Sequence, residues 1–106
     1  MKTFRNLRLG ELIEHELGMM FARDFDFDGA LVTITSVEVT SDLLQANIKL
    51  AIIPPERGPM VFEQINREER RLRGTLLRKL KLRLFPKLVF QIDESSAMPI
   101  AAPSSE

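Results

Sequence analysis

The sequence has no cysteine, no tryptophan and no tyrosine, and it has one histidine. The missing thiols exclude a disulfide scaffold, a cysteine nucleophile and any thiolate metal centre. They also point to a reducing, cytosolic home, because a small secreted domain normally carries such staples. One histidine and no tryptophan or tyrosine leave little material for a catalytic site. No apolar run approaches the roughly 20 residues that a membrane-spanning helix needs. The opening MKTFRNLRLG lacks the apolar core of a secretory signal, so no leader is expected. Net charge is absent too, since 15 Lys/Arg balance 15 Asp/Glu. What is present is 106 residues, enough for one ordinary domain and too few for two. Hydrophobic residues at 44% and charged residues at 28% are the proportions of a globule rather than of a disordered chain.

The zero net charge conceals a separation. Residues 67–87 hold nine Lys/Arg against two Glu, a local balance of +7. The rest of the chain holds six basic and thirteen acidic residues, a balance of −7. A polyanion responds to the field near one face rather than to the sum, so the basic segment is a candidate nucleic-acid contact.

Hydrophobic spacing predicts the elements. Leu9, Leu12, Ile13, Leu17, Met20 and Phe21 recur at three- and four-residue intervals, which predicts a helix over 5–22 with these residues on its buried face. Glu11, Glu14 and His15 fall on the other face. After the acidic loop 24–29, the β-branched run Leu31 to Val39 predicts a strand. Thr40-Ser41-Asp42 signals a turn. Leu44, Ala46, Ile48, Leu50 and Ile52 then alternate with polar residues as in a half-buried strand. Pro54, Pro55, Gly58 and Pro59 mark a loop, and a long helix fits 59–82. Its apolar arc contains Val61, Ile65, Leu72, Leu76 and Leu80, and its opposite arc Arg67, Arg70, Arg71, Arg78 and Lys81. Glu69 falls inside the apolar arc. A buried, unpaired carboxylate is costly, so the helix is expected to kink or swivel within 67–71 and carry Glu69 out of the core. Gly74 is a second weak point. Pro86 ends the helical region, and Leu88, Phe90 and Ile92 alternate with Val89, Gln91 and Asp93 in a third strand. Residues 94–106, rich in Ser, Ala and Pro, read as a disordered tail after a domain of residues 1–93. The expected architecture is α+β: helix, strand, strand, kinked helix, strand, with both helices on one face of a three-stranded mixed sheet.

Three stretches in this order resemble the ribosome-binding factor A family. Arg8-Leu9 with Glu11, Ile13, Glu16 and Leu17 is similar to the family's opening helix. Val32 to Thr40, with Asp42-Leu43 and Ala46, resembles its strand–turn–strand segment. Ile65-Asn66, Leu72-Arg73, Leu80, Leu82-Arg83, Pro86, Leu88 and Phe90, followed by Asp93 and Ser95, are similar to its ending. The resemblance spans about residues 5–95 and implies a type II KH-like fold. It also implies a non-enzymatic assembly factor that binds the immature small ribosomal subunit and its rRNA and assists late rRNA processing and cold adaptation. Two positions depart from the family pattern. Glu68, Glu69 and Arg70 stand where the family bends its helix at A-x-G, and the loop of Asp24, Asp26 and Asp28 lacks the usual D-P-R-x-G.

Arginine offers planar, bidentate contacts to phosphate and lysine a point charge. Arg67, Arg70, Arg71, Arg78 and Lys81 are therefore the leading RNA contacts. Arg73, Lys79, Arg83 and Lys87 point elsewhere on the wheel and serve only after a kink. Lys2, Arg5 and Arg8 offer a second contact. The phenylalanines sit in core-like positions, so recognition of phosphate and shape is expected rather than base stacking. The run Asp24-Phe25-Asp26-Phe27-Asp28-Gly29 imitates the opening of a calcium loop and raises a calcium-responsive domain as one alternative. Thr35 stands where the bidentate Glu belongs, however, and a strand follows instead of a helix. His15 has no companion ligands for a metal, and no nucleotide loop or catalytic triad motif is present. No enzyme activity, metal or cofactor is expected, and a monomer suffices. The other alternative is a protein-interaction module that docks a partner on its acidic face or on an exposed edge strand at 44–53 or 88–93.

Overall fold

The computed structural model describes residues 2–83 and 85–93, with side chains from residue 5. The proposed tail, 94–106, lies outside the described residues, as does the Lys2 side chain. Helix α1 spans Lys2–Asp24, strand β1 Leu31–Val39 and strand β2 Gln45–Ile53. A short 3-10 turn, Pro55–Arg57, leads into helix α2, Gly58–Arg67. Helix α3, Glu69–Lys79, and strand β3, Lys87–Ile92, complete the domain.

The sheet is mixed, in the order β1-β2-β3. β1 and β2 pair antiparallel across the Thr40 turn, and β2 and β3 pair parallel. A parallel neighbour needs a crossover, and α2 and α3 provide it. β2 is therefore the central strand. The expected free edge at 44–53 does not exist, because β3 occupies it with Gln45 opposite Lys87 and Leu50 opposite Ile92.

One face of the sheet is buried and both helical segments lie on it, as in the type II KH-like arrangement. Ala46, Ile48, Leu50 and Ile52 of β2 and Leu88 and Phe90 of β3 meet Ile13, Leu17, Met20 and Phe21 of α1 and Val61, Ile65, Leu72 and Leu76 of α2 and α3. Burying each Val, Leu, Ile, Phe or Met of this set contributes roughly 1.5–3 kcal/mol before chain entropy is counted. In β1 the inward residues change parity, from Val32 and Ile34 to Val37 and Val39. A one-residue bulge between Ile34 and Ser36 makes this possible, because it inserts Thr35 without a partner and keeps all four on one face. The Thr35 hydroxyl donates to Asp93 Oδ2 at 2.7 Å, across the central strand.

Helix α1 differs from expectation in one residue. Leu12, assigned to its buried face, is 43% exposed. The stripe that meets the sheet is the narrower row of Ile13, Leu17, Met20 and Phe21, and Leu12 lies beyond its margin. No helix among the described residues is long and apolar enough to cross a membrane.

Candidate nucleic-acid interface

The basic segment lies on α2, α3 and the chain leading to β3, and a helix break organises it. α2 ends at Glu68, whose φ of −100° and ψ of 9° leave the helical region. The Glu68 N–H donates to the Ile65 carbonyl at 3.0 Å, and its own carbonyl accepts from Leu72 N–H at 2.8 Å, which starts α3. No proline or glycine stands here, so the break has a side-chain cause. In an unbroken helix Glu69 would fall in the row of Ile65, Leu72 and Leu76, all fully buried. At the break it reaches the rim of the core. Its side chain is 16% exposed and lies 3.4 Å from Arg73 Nε, and its Oε2 accepts the backbone N–H of Leu88 at 3.0 Å. The swivel expected to expel Glu69 from the core thus stops part-way, because two donors at the rim offset the cost of partial burial. Glu68 pairs instead with Arg71, whose guanidinium carbon lies 5.8 Å from the centre of the Phe25 ring.

α3 ends in a Schellman motif. Leu82 N–H donates to the Leu77 carbonyl at 3.1 Å and Lys81 N–H to the Arg78 carbonyl at 3.2 Å. This places Lys81 in the left-handed region, at φ 54°, a position that glycine usually fills.

The predicted contacts divide by what they already hold. Arg71 is tied to Glu68 and Arg73 to Glu69, and Lys79 Nζ lies 3.3 Å from Glu16 Oε1, joining α3 to α1. Arg78 is exposed, with Nη2 3.5 Å from Thr75 Oγ1. Arg67, Arg70, Lys81 and Arg83 are exposed and make no ion pair among the described residues, and the same holds for Arg5 and Arg8 on α1. Lys87 is exposed at the start of β3.

Two recesses connect these groups. One is lined by Arg5 and Leu9 of α1, Asp42 to Leu44 of the β-turn, and Leu82, Arg83 and Pro86. It brings Arg5, distant in sequence, beside Arg83. Asp42 lies here too, its carboxyl held below the usual value by the Thr40 hydroxyl and then by the Leu44 N–H. The second recess is lined by Arg70, Arg73, Gly74, Leu77, Arg83 and Phe85. Arg83 belongs to both, so the cationic surface runs from α3 across the approach to β3 and on to α1. Phe85, which the sequence placed with the core-like phenylalanines, does pack against the core, and the part of it left half-buried lines this second recess.

The acidic loop is organised differently. Asp26 Oδ1 accepts the N–H of Asp28 at 2.9 Å, and Asp28 Oδ2 lies 3.0 Å from Arg57 Nη2. Phe25 and Phe27 turn inward and stack at 5.2 Å, and each meets Phe21 edge-on. Among the described residues no three His, Cys, Asp or Glu side chains converge as a metal site.

Comparison with known proteins agrees with this architecture. The family model for ribosome-binding factor A matches residues 5–100. A ribosome-binding factor A from Akkermansia muciniphila is 32% identical over 92 residues, which cover 87% of this chain and 74% of that protein. One from Phenylobacterium zucineum is 39% identical over 95 residues, which cover 86% of this chain and 66% of that protein. The crystal structure of ribosome-binding factor A from Thermus thermophilus superposes with a TM-score of 0.63 at 23% identity, covering 87% of this chain and 94% of that one. That likeness speaks for the fold.

Proposed function

Because the chain belongs to the ribosome-binding factor A family, we propose that it binds the immature small ribosomal subunit by gripping rRNA phosphates with its basic surface, and so assists late rRNA processing. A ribosome-associated role in biogenesis follows from the family, whose name is that of a binding factor rather than an enzyme. The finer reading rests on one observation. Arg67, Arg70, Lys81 and Arg83 project from the segment of local charge +7 without ion pairs among the described residues. Unpaired exposed cations release counterions from a polyanion at no internal cost. Arg78 joins them, and Arg5 and Arg8 extend the grip to α1. Arg71, Arg73 and Lys79 give up existing pairs if they bind phosphate, so they contribute less. The factor acts as a cytoplasmic monomer, a reading supported by the absence of cysteine and by Glu69 occupying an outward N–H of the β3 edge.

Sedimentation with purified immature small subunits tests the proposal. The wild type should co-sediment at low salt and dissociate at high salt. A variant with Arg67, Arg70, Arg71, Arg78 and Lys81 changed to Glu should stay in the supernatant at either. A folded wild type that never co-sediments contradicts the proposal. Association that survives nuclease and high salt favours a protein-interaction module instead.

A further inference from the structure

The recess between α3 and the approach to β3 combines chemistry that phosphate binding alone does not require. Its rim is cationic, from Arg70, Arg73 and Arg83, and its floor is apolar, from Leu77 and the half-buried ring of Phe85. The volume is about 280 Å³. That lies just under the roughly 300–1,000 Å³ typical of small-molecule sites, so it suits one flat heterocycle and not a chain of them.

Gly74 is the informative residue. Glycine inside a helix costs roughly 0.5–1 kcal/mol relative to alanine, so a reason for it is expected. Its backbone is not in the left-handed region, and the nearest atom to a Cβ built there is the flexible Nη1 of Arg78 at 3.8 Å. Neither conformation nor internal packing calls for glycine. The missing side chain instead leaves space open in the recess that Gly74 and Phe85 both line.

The three arginines are not equivalent. Arg73 is held by Glu69, which is itself fixed by the N–H of Leu88. Its charge is already balanced, and a guanidinium held in place presents its flat face. Arg70 and Arg83 make no ion pair among the described residues and are exposed. Two free cations beside an aromatic ring and a fixed guanidinium plane match the two halves of a nucleotide, its phosphate and its base.

We propose that this recess receives one unpaired nucleotide of the bound RNA, with the base against Phe85 and Arg73, over Gly74, and its phosphates on Arg70 and Arg83. The inference rests on the RNA-binding reading above and makes it more specific, from general phosphate contact to a preference for single-stranded RNA.

Fluorescence anisotropy with a labelled single-stranded octaribonucleotide and the matching RNA duplex tests it, using wild type, Gly74→Leu and Phe85→Leu. Gly74→Leu fills the recess with a better helix former and keeps every charge. Phe85→Leu keeps an apolar floor without the ring. Thermal melting establishes that each variant is folded. Wild type should prefer the single strand. Each variant should lose about tenfold in single-strand affinity, within the range measured for one base–aromatic stack, while duplex binding and its salt dependence stay unchanged. Single-strand affinities equal to wild type in both folded variants overturn the recess while leaving the phosphate-binding surface intact. Tight binding of free ribonucleoside monophosphates with no octamer binding also overturns it. Wild type that binds neither RNA contradicts the broader proposal, and the recess falls with it.

Discussion

Glu69 Oε2 accepts the backbone N–H of Leu88 at 3.0 Å, linking the first turn of α3 to the outer edge of β3. The direction of this bond follows from strand geometry. Lys87 N–H donates inward to Leu44 and Asp93 N–H to Leu50, both on the β2 side. Alternate residues of a strand point their N–H groups to opposite sides, so that of Leu88 faces away from the sheet. An unpaired edge donor invites another strand, and the carboxylate covers it. One residue thus breaks the helix, seats Arg73 and caps the sheet edge.

Replacing Glu69 separates these effects. Glu69→Ala leaves the Leu88 N–H and Arg73 without a partner, and the expected loss in urea denaturation is about 1–3 kcal/mol. Glu69→Gln retains an acceptor and should lose less than half as much. Equal losses for the two variants would assign the effect to charge rather than to the hydrogen bond.

Lys81 predicts a conflict between stability and binding. A non-glycine residue in the left-handed region costs roughly 1–2 kcal/mol, and Lys81 at φ 54° is exposed with no ion pair among the described residues. Lys81→Gly should therefore raise stability by about 1 kcal/mol and lower affinity for the small subunit. A melting temperature and a binding curve on the same preparation check both signs. A stabilised variant with unchanged binding would remove Lys81 from the interface.

Asp42 predicts an acid-sensitive turn. Its carboxylate accepts from the Thr40 hydroxyl at 2.7 Å and from Leu44 N–H at 3.0 Å, which hold it below the ordinary 3.8. A depressed folded-state value favours the fold above the unfolded value, and that contribution is lost as pH falls through the folded one. In an NMR titration Asp42 should therefore titrate below 3.8, with the β-turn signals following it. Thr40→Val should move its midpoint back toward the ordinary value, because it removes the largest cause.

Much of this was legible in the sequence, and the rest was hidden for physical reasons. Alternation over 44–52 and the β-branched run 31–39 named both antiparallel strands, because burial on one face imposes a period of two. Glu69 in an apolar arc announced a discontinuity near the break actually found at Glu68. Its partner did not show, because that partner is a backbone N–H 19 residues away, brought there only by the crossover. Strand order was hidden as well. The alternation over 44–53 reports one buried face and not the strand's neighbours, and the parallel pairing of β3 makes it central. Leu12 matched the helical period, but the sheet accepts a narrower stripe. For the basic surface, the run of charge was visible and its division was not. Whether an arginine is free or engaged depends on which carboxylates the fold brings within reach, as Glu16 is brought to Lys79.

The affinity of the wild-type protein for immature small subunits, measured across salt concentration, tests the central claim most directly. If about five phosphates of single-stranded rRNA are neutralised by the exposed cations, log K should fall against log salt with a slope near −3.5. Changing Arg67, Arg70 and Lys81 to Ala should flatten that slope by about 2. An affinity that holds constant from about 50 to 200 mM salt would contradict the phosphate-gripping surface.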